Sequence, residues 1–168
     1  MQPVVSWYYQ KITINTEPWI LACSEQGLTF VGQTEQELIN YVNKVKGQEI
    51  VLIENESKVA PYIQQFEEYF NHQRQSFTLP LDLIGTGFQK AVWKSLLTIP
   101  YGQTQYYQAV AKTINRPQAT RAVGHAIGTN PLLIFVPCHR VIGKNKKLTG
   151  FRAGLGLKNW LLEFEKNN

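Results

Sequence analysis

The sequence is poor in the residues that build disulfide frameworks and metal sites. It has two cysteines and three histidines among 168 residues, which excludes a multi-disulfide scaffold and a four-cysteine zinc site. It also lacks an apolar run long enough to span a bilayer, and residues 1–10 lack the charged and apolar segments of a signal peptide. We therefore expect a cytoplasmic protein with reduced thiols and no membrane partner.

Acidic residues are nearly missing from the second half of the chain. Positions 85–168 hold two acidic and twelve basic residues, whereas positions 1–84 hold ten acidic and five basic residues. A cationic half is typical of modules that contact nucleic-acid phosphates, although a solvated basic face has the same composition. Because Pro80, Gly85 and Gly87 interrupt the pattern between the halves, we predict domains at 1–84 and 85–168.

The first half predicts a small α/β domain. Segments rich in β-branched and aromatic residues, with turn chemistry around Gly27, predict an antiparallel sheet. One helix is predicted over 34–46, with Thr34 as its cap, and a second carries the stripe Val59, Ile63, Phe66 and Phe70. The predicted strands are 4–10, 11–15, 19–23 and 28–31.

The second half predicts short helices. A turn at 115–117 separates helices at 106–114 and 118–127, which is the outline of a helix-turn-helix. Pro117 would suit the first turn of the second helix. The chain is thus predicted to be an α+β protein whose second domain is mainly helical.

The second helix of this pair is slim, because it carries Ala119, Ala122, Gly124 and Ala126. Such a helix with a lone Arg121 suits close approach to a narrow groove better than reading of the major groove. Alternatively, the small residues simply pack against a neighbouring helix. Spacing alone leaves both interpretations open.

The most reactive side chains of the second half, Cys138 and His139, are adjacent. They follow an apolar run, 132–136, that predicts a buried extended segment. A thiol is nucleophilic as the thiolate, and a nearby imidazole commonly takes its proton. Because successive side chains of extended backbone point to opposite sides, we expect a water to relay that proton. A third group should position the histidine, and the candidates are Glu163 and Glu165. A buried cysteine beside a hydrogen-bonded histidine remains the structural alternative.

Five motifs follow one another between residues 88 and 165. They are Pro-Tyr-Gly-Gln-Thr at 100–104, Arg-Ala-Val-Gly at 121–124, Gly-Thr-Asn-Pro at 128–131, Pro-Cys-His-Arg-Val at 137–141 and Lys-Asn-Trp-Leu-Leu-Glu-Phe-Glu at 158–165. In order and spacing this stretch resembles the O6-alkylguanine-DNA alkyltransferase family, and the first half resembles it more loosely at 24–28 and 77–82. The resemblance implies an RNase H-like N-terminal domain and a C-terminal domain that binds DNA and accepts an alkyl group.

The resemblance also implies a role for each catalytic residue. Cys138 would accept the alkyl group, His139 would be a base acting through a water, and Glu165 would orient His139. Asn130 would lie at a hinge beside the cysteine. Tyr107 would crowd the DNA phosphate and donate a hydrogen bond to guanine N3. The product would be a thioether, so the protein would be consumed in one turnover without a bound cofactor.

Further positions would bind DNA and the damaged base. Arg121 would enter the duplex through the minor groove and replace the extruded nucleotide, at a site of O6-alkylguanine or O4-alkylthymine. Backbone groups near Val141 and Arg152 would read the guanine edge. Phe151 stands where a tyrosine is common, Arg152 where a small residue is common, and Leu133 where some members have proline. The remaining predicted DNA contacts are Ala119, Thr120, Ala122 and Gly124, and we expect a monomer.

Several titratable residues receive no role in this interpretation. Cys23, His72 and His125 are scattered and do not complete the structural zinc site of certain relatives, so we expect no metal. Glu163 is expected to be a solvated helix residue.

Two rival functions belong to other classes. A lesion sensor would use the helix-turn-helix without chemistry, but such proteins carry another residue at the position of Cys138. A cysteine hydrolase would need an oxyanion hole, and its cysteine and histidine usually lie far apart in sequence.

Overall fold

A computed structural model describes residues 1–146 and 149–168 of the chain. The chain divides into two units, Met1–Ile84 and Gly85–Asn168. The first combines a sheet with two helices and the second is mainly helical, which confirms the predicted α+β class. In the described part of the chain, no helix is long and apolar enough to cross a membrane.

A four-stranded sheet forms the first unit. Its strands are β1 (Val4–Ile14), β2 (Glu17–Cys23), β3 (Leu28–Gly32) and β4 (Glu49–Glu54), in the order β3-β2-β1-β4. The first three strands pair antiparallel, as predicted. β4 pairs parallel to β1, with Val4 beside Glu49, so the expectation of a purely antiparallel sheet is wrong in this strand. A helix lies between β3 and β4 in the chain, and such a crossover lets a strand return parallel.

Two strand assignments from the sequence were also wrong. β1 is one strand of 11 residues rather than two, because the chain turns only at Asn15 and Thr16, where φ is 51° and 67°. β4 was missed because Ile50 to Ile53 form an unbroken apolar run rather than an alternating one. In the structure Val51 and Ile53 of this edge strand remain exposed, so burial alternates although hydrophobicity does not.

The helices of the first unit follow the predicted pattern. Helix α1 (Glu35–Lys44) begins at Thr34, whose side chain accepts a hydrogen bond from the backbone of Glu37. Helix α2 (Glu56–Phe70) buries Val59, Phe66 and Phe70 and half-buries Ile63. The core between sheet and helices includes Trp7, Ile20, Ala22, Phe30 and Leu38.

The second unit contains the predicted helix-turn-helix. Its elements are α3 (Gly87–Leu96), β5 (Gln105–Tyr106), α4 (Tyr107–Thr113), α5 (Thr120–Gly128), β6 (Val141–Ile142) and α6 (Leu155–Lys166). Helices α4 and α5 form the motif. Helix α5 starts at Thr120, later than predicted, and Pro117 lies in the preceding turn rather than in the first helical turn. Ala119 caps the helix with φ −97° and ψ 27°.

The chain bends sharply just before Cys138. Residues 132–136 are all buried, as predicted, but they form a tight turn instead of an extended segment. The backbone N–H of Val136 donates to the carbonyl of Leu132 (2.9 Å), and Ile134 adopts a positive φ of 73°. A β-branched residue with positive φ is uncommon and costly, so the surrounding core must hold this turn in place.

Candidate active site

Cys138 lies at the start of a single 3-10 turn, Cys138–Arg140, between the buried bend and β6. Its side chain is a free thiol that is 3% exposed. Burial raises the pKa of the Cys138 thiol, whereas a hydrogen bond with Asn130 and the positive charges of Arg152 and Lys158 act in the opposite direction. The thiol therefore needs a proton acceptor and cationic neighbours to become a nucleophile.

The 3-10 turn places His139 against Glu165 of α6. The His139 Nε2 atom lies 2.7 Å from Glu165 Oε2, and both side chains are buried. Burial lowers the pKa of His139 despite the adjacent carboxylate, so the imidazole is neutral near pH 7. Its Nε2–H then donates to Glu165 and its Nδ1 carries the free lone pair. Nδ1 is buried and has no hydrogen-bond partner among the described residues.

Of the two carboxylates proposed as partners of the histidine, only Glu165 contacts it. Leu161 and Glu165, four residues apart, are both buried on one face of α6, whereas Glu163 is exposed on another.

Arg140 is a residue that sequence reasoning missed. Its Nε and Nη2 atoms donate to the two carboxylate oxygens of Glu165 (2.8 and 2.9 Å), and Nη1 donates to the carbonyl of Ile99 (2.8 Å). The guanidinium also lies over the Tyr101 ring, 5.6 Å from its centroid. Hydrogen bonds from His139 and Arg140 hold the pKa of Glu165 well below its usual range. In the sequence, the position of Arg140 within the motif at 137–141 was the signal that could have identified it.

Asn130 braces the bend that leads to the cysteine. Its Nδ2 donates to the carbonyl of Val136 (2.9 Å), and its Oδ1 accepts from the backbone N–H of Leu132 (2.9 Å). The side chain is 1% exposed. Asn130 thus connects the residues after α5 to both ends of the bend and to the thiol itself.

Lys158 is a second residue that was missed. Its side chain is fully buried, and Nζ donates to the carbonyl of Thr149 (2.7 Å) while lying 5.8 Å from the centroid of the Tyr107 ring. Burial lowers the pKa of Lys158 to about 8. The signal in the sequence was its spacing from Leu161 and Glu165, which places a lysine on the buried face of α6.

Tyr107 stands at the N-terminus of α4 and contacts the same segment. Its hydroxyl donates to the carbonyl of Thr149 (3.2 Å) and accepts from the Thr149 hydroxyl (3.0 Å). Burial raises the pKa of Tyr107, so the phenol remains a hydrogen-bond donor. The predicted catalytic residues therefore lie in one cluster with Lys158 and Arg140.

The outward side of α5 is exposed. Arg121, Ala122 and His125 line an open groove of about 760 Å³ that also includes Phe88 and Gln118. Small residues on α5 serve two purposes. Gly124 faces Tyr107, because a Cβ there would lie 3.6 Å from the ring, and Ala126 is buried. On the exposed side, Arg121 stands beside the small side chain of Ala122. The predicted contacts Ala119 and Thr120 are half-buried.

The remaining pocket residues surround the bend and the 3-10 turn. Leu133 and Val141 are fully buried, whereas Phe151 and Arg152 are half-buried. Arg152 reaches across to the residues after α5, where Nε donates to the carbonyl of Asn130 (3.3 Å) and Nη2 to that of Pro131 (3.4 Å).

The residues without a predicted role belong to different parts of the chain. Cys23 is buried in β2 and His72 is exposed after α2, while His125 belongs to the second unit. In the described ranges, no group of three or more histidine, cysteine or acidic side chains could hold a metal ion.

Comparisons with family models and with known proteins agree on one family. The family model described as "6-O-methylguanine DNA methyltransferase, DNA binding domain" matches residues 87–167, and the "ribonuclease-like domain" of the same family matches residues 7–83. The inducible methylated-DNA--protein-cysteine methyltransferase of Bacillus subtilis is 44% identical over 162 residues, which cover 95% of this chain and 90% of that protein.

Solved structures agree with the sequence comparisons. The O6-methylguanine methyltransferase of Mycobacterium tuberculosis is 39% identical with a TM-score of 0.79, over 96% of this chain and 93% of that one. A second structure, the M. tuberculosis protein named OGT in complex with DNA, is 39% identical with a TM-score of 0.78, over 95% and 93% of the two chains. The chain therefore belongs to the 6-O-methylguanine DNA methyltransferase family.

Proposed function

We propose that the protein repairs duplex DNA by moving the alkyl group of O6-alkylguanine onto Sγ of Cys138. The observation that carries this proposal is the position of the thiol. Cys138 shares one buried cluster with a neutral His139, which is paired with Glu165, and this cluster lies in the unit that contains the helix-turn-helix. Membership of the methyltransferase family supports the same reaction.

The proposed chemistry is one displacement step. His139 Nδ1 takes the proton of the Cys138 thiol through a water, and the charges of Arg152 and Lys158 stabilise the thiolate. The thiolate attacks the alkyl carbon, forming an S–C bond as the C–O6 bond breaks. The electron pair leaves with guanine, and a hydrogen bond from Tyr107 to N3 disperses its charge. Burial keeps the pKa of Tyr107 high, so the phenol retains its one proton. The hydroxyl would turn that proton from the Thr149 carbonyl to N3 when the base is bound.

The substrate must first leave the base stack. Extruding a nucleotide costs a few kcal/mol, and the exposed Arg121 offsets part of this cost by filling its place in the duplex. The small or half-buried residues Ala119, Thr120, Ala122 and Gly124 let α5 approach the minor groove closely.

The base would bind beside the thiol. Backbone groups near Val141 and Arg152 read its edge, while Leu133 and Phe151 bound the space for the alkyl group. The braced Asn130 fixes the path of the chain into this pocket. O4-alkylthymine would be a second lesion for the same pocket.

The reaction would consume the protein. A thioether holds no activated bond for water to attack, so each molecule acts once and no recycling cofactor is required. The acceptor must be a reduced thiol, as both cysteines are here, which supports a reducing compartment such as the cytoplasm. Binding of one damaged base per chain requires only a monomer.

The test is mass spectrometry of the protein after incubation with a duplex that contains O6-methylguanine. The peptide bearing Cys138 should gain the mass of one methylene group, and the DNA should contain guanine. Cys23→Ala is the matched control and should react as the unchanged protein does, whereas Cys138→Ala should not react. Tight binding of the lesion with an unmodified Cys138 would indicate a lesion sensor and contradict the proposal.

A further inference from the structure

Arg140 lies outside the proposed chemistry, yet it is one of the most completely bonded side chains of the site. Three of its nitrogens donate hydrogen bonds, and two of these bonds go to Glu165, one to each carboxylate oxygen. Arg140 is 6% exposed. Glu165 also accepts from His139 and, at 3.3 Å, from the backbone N–H of Gly102. The carboxylate is therefore surrounded by donors and stays ionised.

The charge of this cluster decides whether His139 can act as a base. A buried carboxylate alone would hold an adjacent histidine as an imidazolium, because protonation of the histidine would give an ion pair with no net charge. With Arg140 present, Glu165 is already neutralised. Protonating His139 would then leave an uncompensated positive charge in a buried site, which is costly.

The other groups around His139 act in different directions. On α6, the Glu165 carboxylate favours the imidazolium, whereas the charge of the buried Lys158 ammonium, like that of Arg140, opposes a second cation. The neighbouring Cys138 is a thiol before reaction, and Tyr101 lies over Arg140. Helix α3, which also packs against the 3-10 turn, buries Val92, Trp93 and Leu96.

We infer that Arg140 is a positioning residue that holds His139 in the neutral form, with its proton on Nε2 and its lone pair on Nδ1, ready to accept the proton of Cys138. The inference rests on the proposed function for its catalytic meaning. The protonation state itself can be measured without any DNA substrate, so the two can fail separately.

The direct test is an NMR titration of the imidazole signals. The chain has three histidines, and His139 should titrate below its ordinary pKa of 6.5. In Arg140→Met it should titrate above that value, and in the double variant Arg140→Met, Glu165→Gln it should return below it. Arg116→Met, which removes an exposed arginine from the turn before α5, is the matched control and should leave His139 unchanged.

Methyl transfer gives the second readout. Arg140→Met should be slowed by a larger factor near pH 6 than near pH 8.5, because each unit by which the His139 pKa rises lowers its neutral fraction at acidic pH by up to about tenfold. Arg140→Lys retains the charge and should restore part of the activity near pH 6. A role confined to packing would slow transfer by the same factor at both values.

Two results would overturn the inference. One is a His139 that titrates at or above its ordinary value in the unchanged protein, a measurement that does not depend on whether Arg140→Met folds. The other is a folded Arg140→Met variant with an unchanged His139 titration. Failure of Cys138 to accept a methyl group, with the titrations as expected, would count against the proposed function alone.

Discussion

Cys23 and Cys138 are both free thiols, each only 3% exposed, but their surroundings differ. Cys23 lies in β2, and its Sγ contacts the backbone carbonyl of Lys58 at 3.5 Å. Burial and the charge of Glu25 raise its pKa to about 11, although the Lys58 ammonium opposes this rise. Cys23 thus remains a protonated thiol near pH 7.

Around Cys138, the same burial is opposed by several groups. Asn130 hydrogen-bonds to the thiol, and the charges of Arg152 and Lys158 lower its pKa. His139 beside it offers a base. Burial raises the pKa of both thiols, so the proposed reactivity of Cys138 rests on the polar groups that are buried with it. The hydrophobic neighbours of the two cysteines in the sequence do not distinguish the surroundings of Cys23 from those of Cys138.

The largest effect we expect concerns Arg121, which is proposed to help extrude the damaged base toward Cys138. Arg121→Ala should slow the repair of duplex DNA roughly a hundredfold, because the cost of extruding the base, a few kcal/mol, is no longer offset. Reaction with free O6-benzylguanine, which needs no extrusion, should change little. Single-turnover rates on both substrates measure this difference.

Lys112→Ala is a suitable control for Arg121→Ala, because it removes an exposed cation from α4 rather than from α5. It should weaken duplex binding slightly without separating the two substrates. Equal losses on duplex and free base in Arg121→Ala would mean that Arg121 does not assist extrusion.

A smaller effect is expected when the buried Lys158 near Cys138 is replaced. Lys58 near Cys23 provides the matched control. Lys158→Met should slow methyl transfer about tenfold, because it removes one cation that stabilises the Cys138 thiolate and the hydrogen bond to Thr149. Lys58→Met removes the cation near Cys23 and should leave transfer unchanged. If Lys158→Met reacts at the unchanged rate, the thiolate is stabilised by other groups.

The sequence allowed correct prediction of the elements that depend on local signals. The cap at Thr34, the stripe of α2 and the outline of α4 and α5 follow from spacing within one helix, so no distant contact was needed. The bend at Ile134 was not predictable in this way. Its positive φ has no local signal in a β-branched residue, and contacts with Asn130 hold it.

The site could be predicted only in part for the same reason. Cys138 and His139 were recognisable as a chemical pair, and the scarcity of acidic residues in the second half reduced the candidate carboxylates to Glu163 and Glu165. Arg140 and Lys158 were missed because a charged side chain in a sequence is ordinarily taken as exposed. Their burial depends on partners far along the chain, such as the carbonyl of Ile99, 41 residues before Arg140.

The smallest expected effect is on stability, and it has a defined sign. The folded-state pKa of Lys158 is about 8, below its ordinary 10.5, so between these values the unfolded chain binds more protons than the folded one. Stability therefore rises with pH in this window, by about 1 kcal/mol from pH 8 to pH 9. Lys158→Met should not show this rise, although both proteins share the opposing effect of thiol ionisation near pH 9.

The readout for this comparison must report on the second unit alone. Trp93 is suitable, because its indole N–H donates to the carbonyl of Ala126 at 2.8 Å within that unit, and its NMR signal can follow unfolding in urea. The free energy of unfolding of the unchanged protein, minus that of Lys158→Met, should rise by about 1 kcal/mol from pH 8 to pH 9. A constant difference would mean that Lys158 keeps an ordinary pKa in the folded protein, and the contrast between the two thiols would then rest on Asn130, Arg152 and His139.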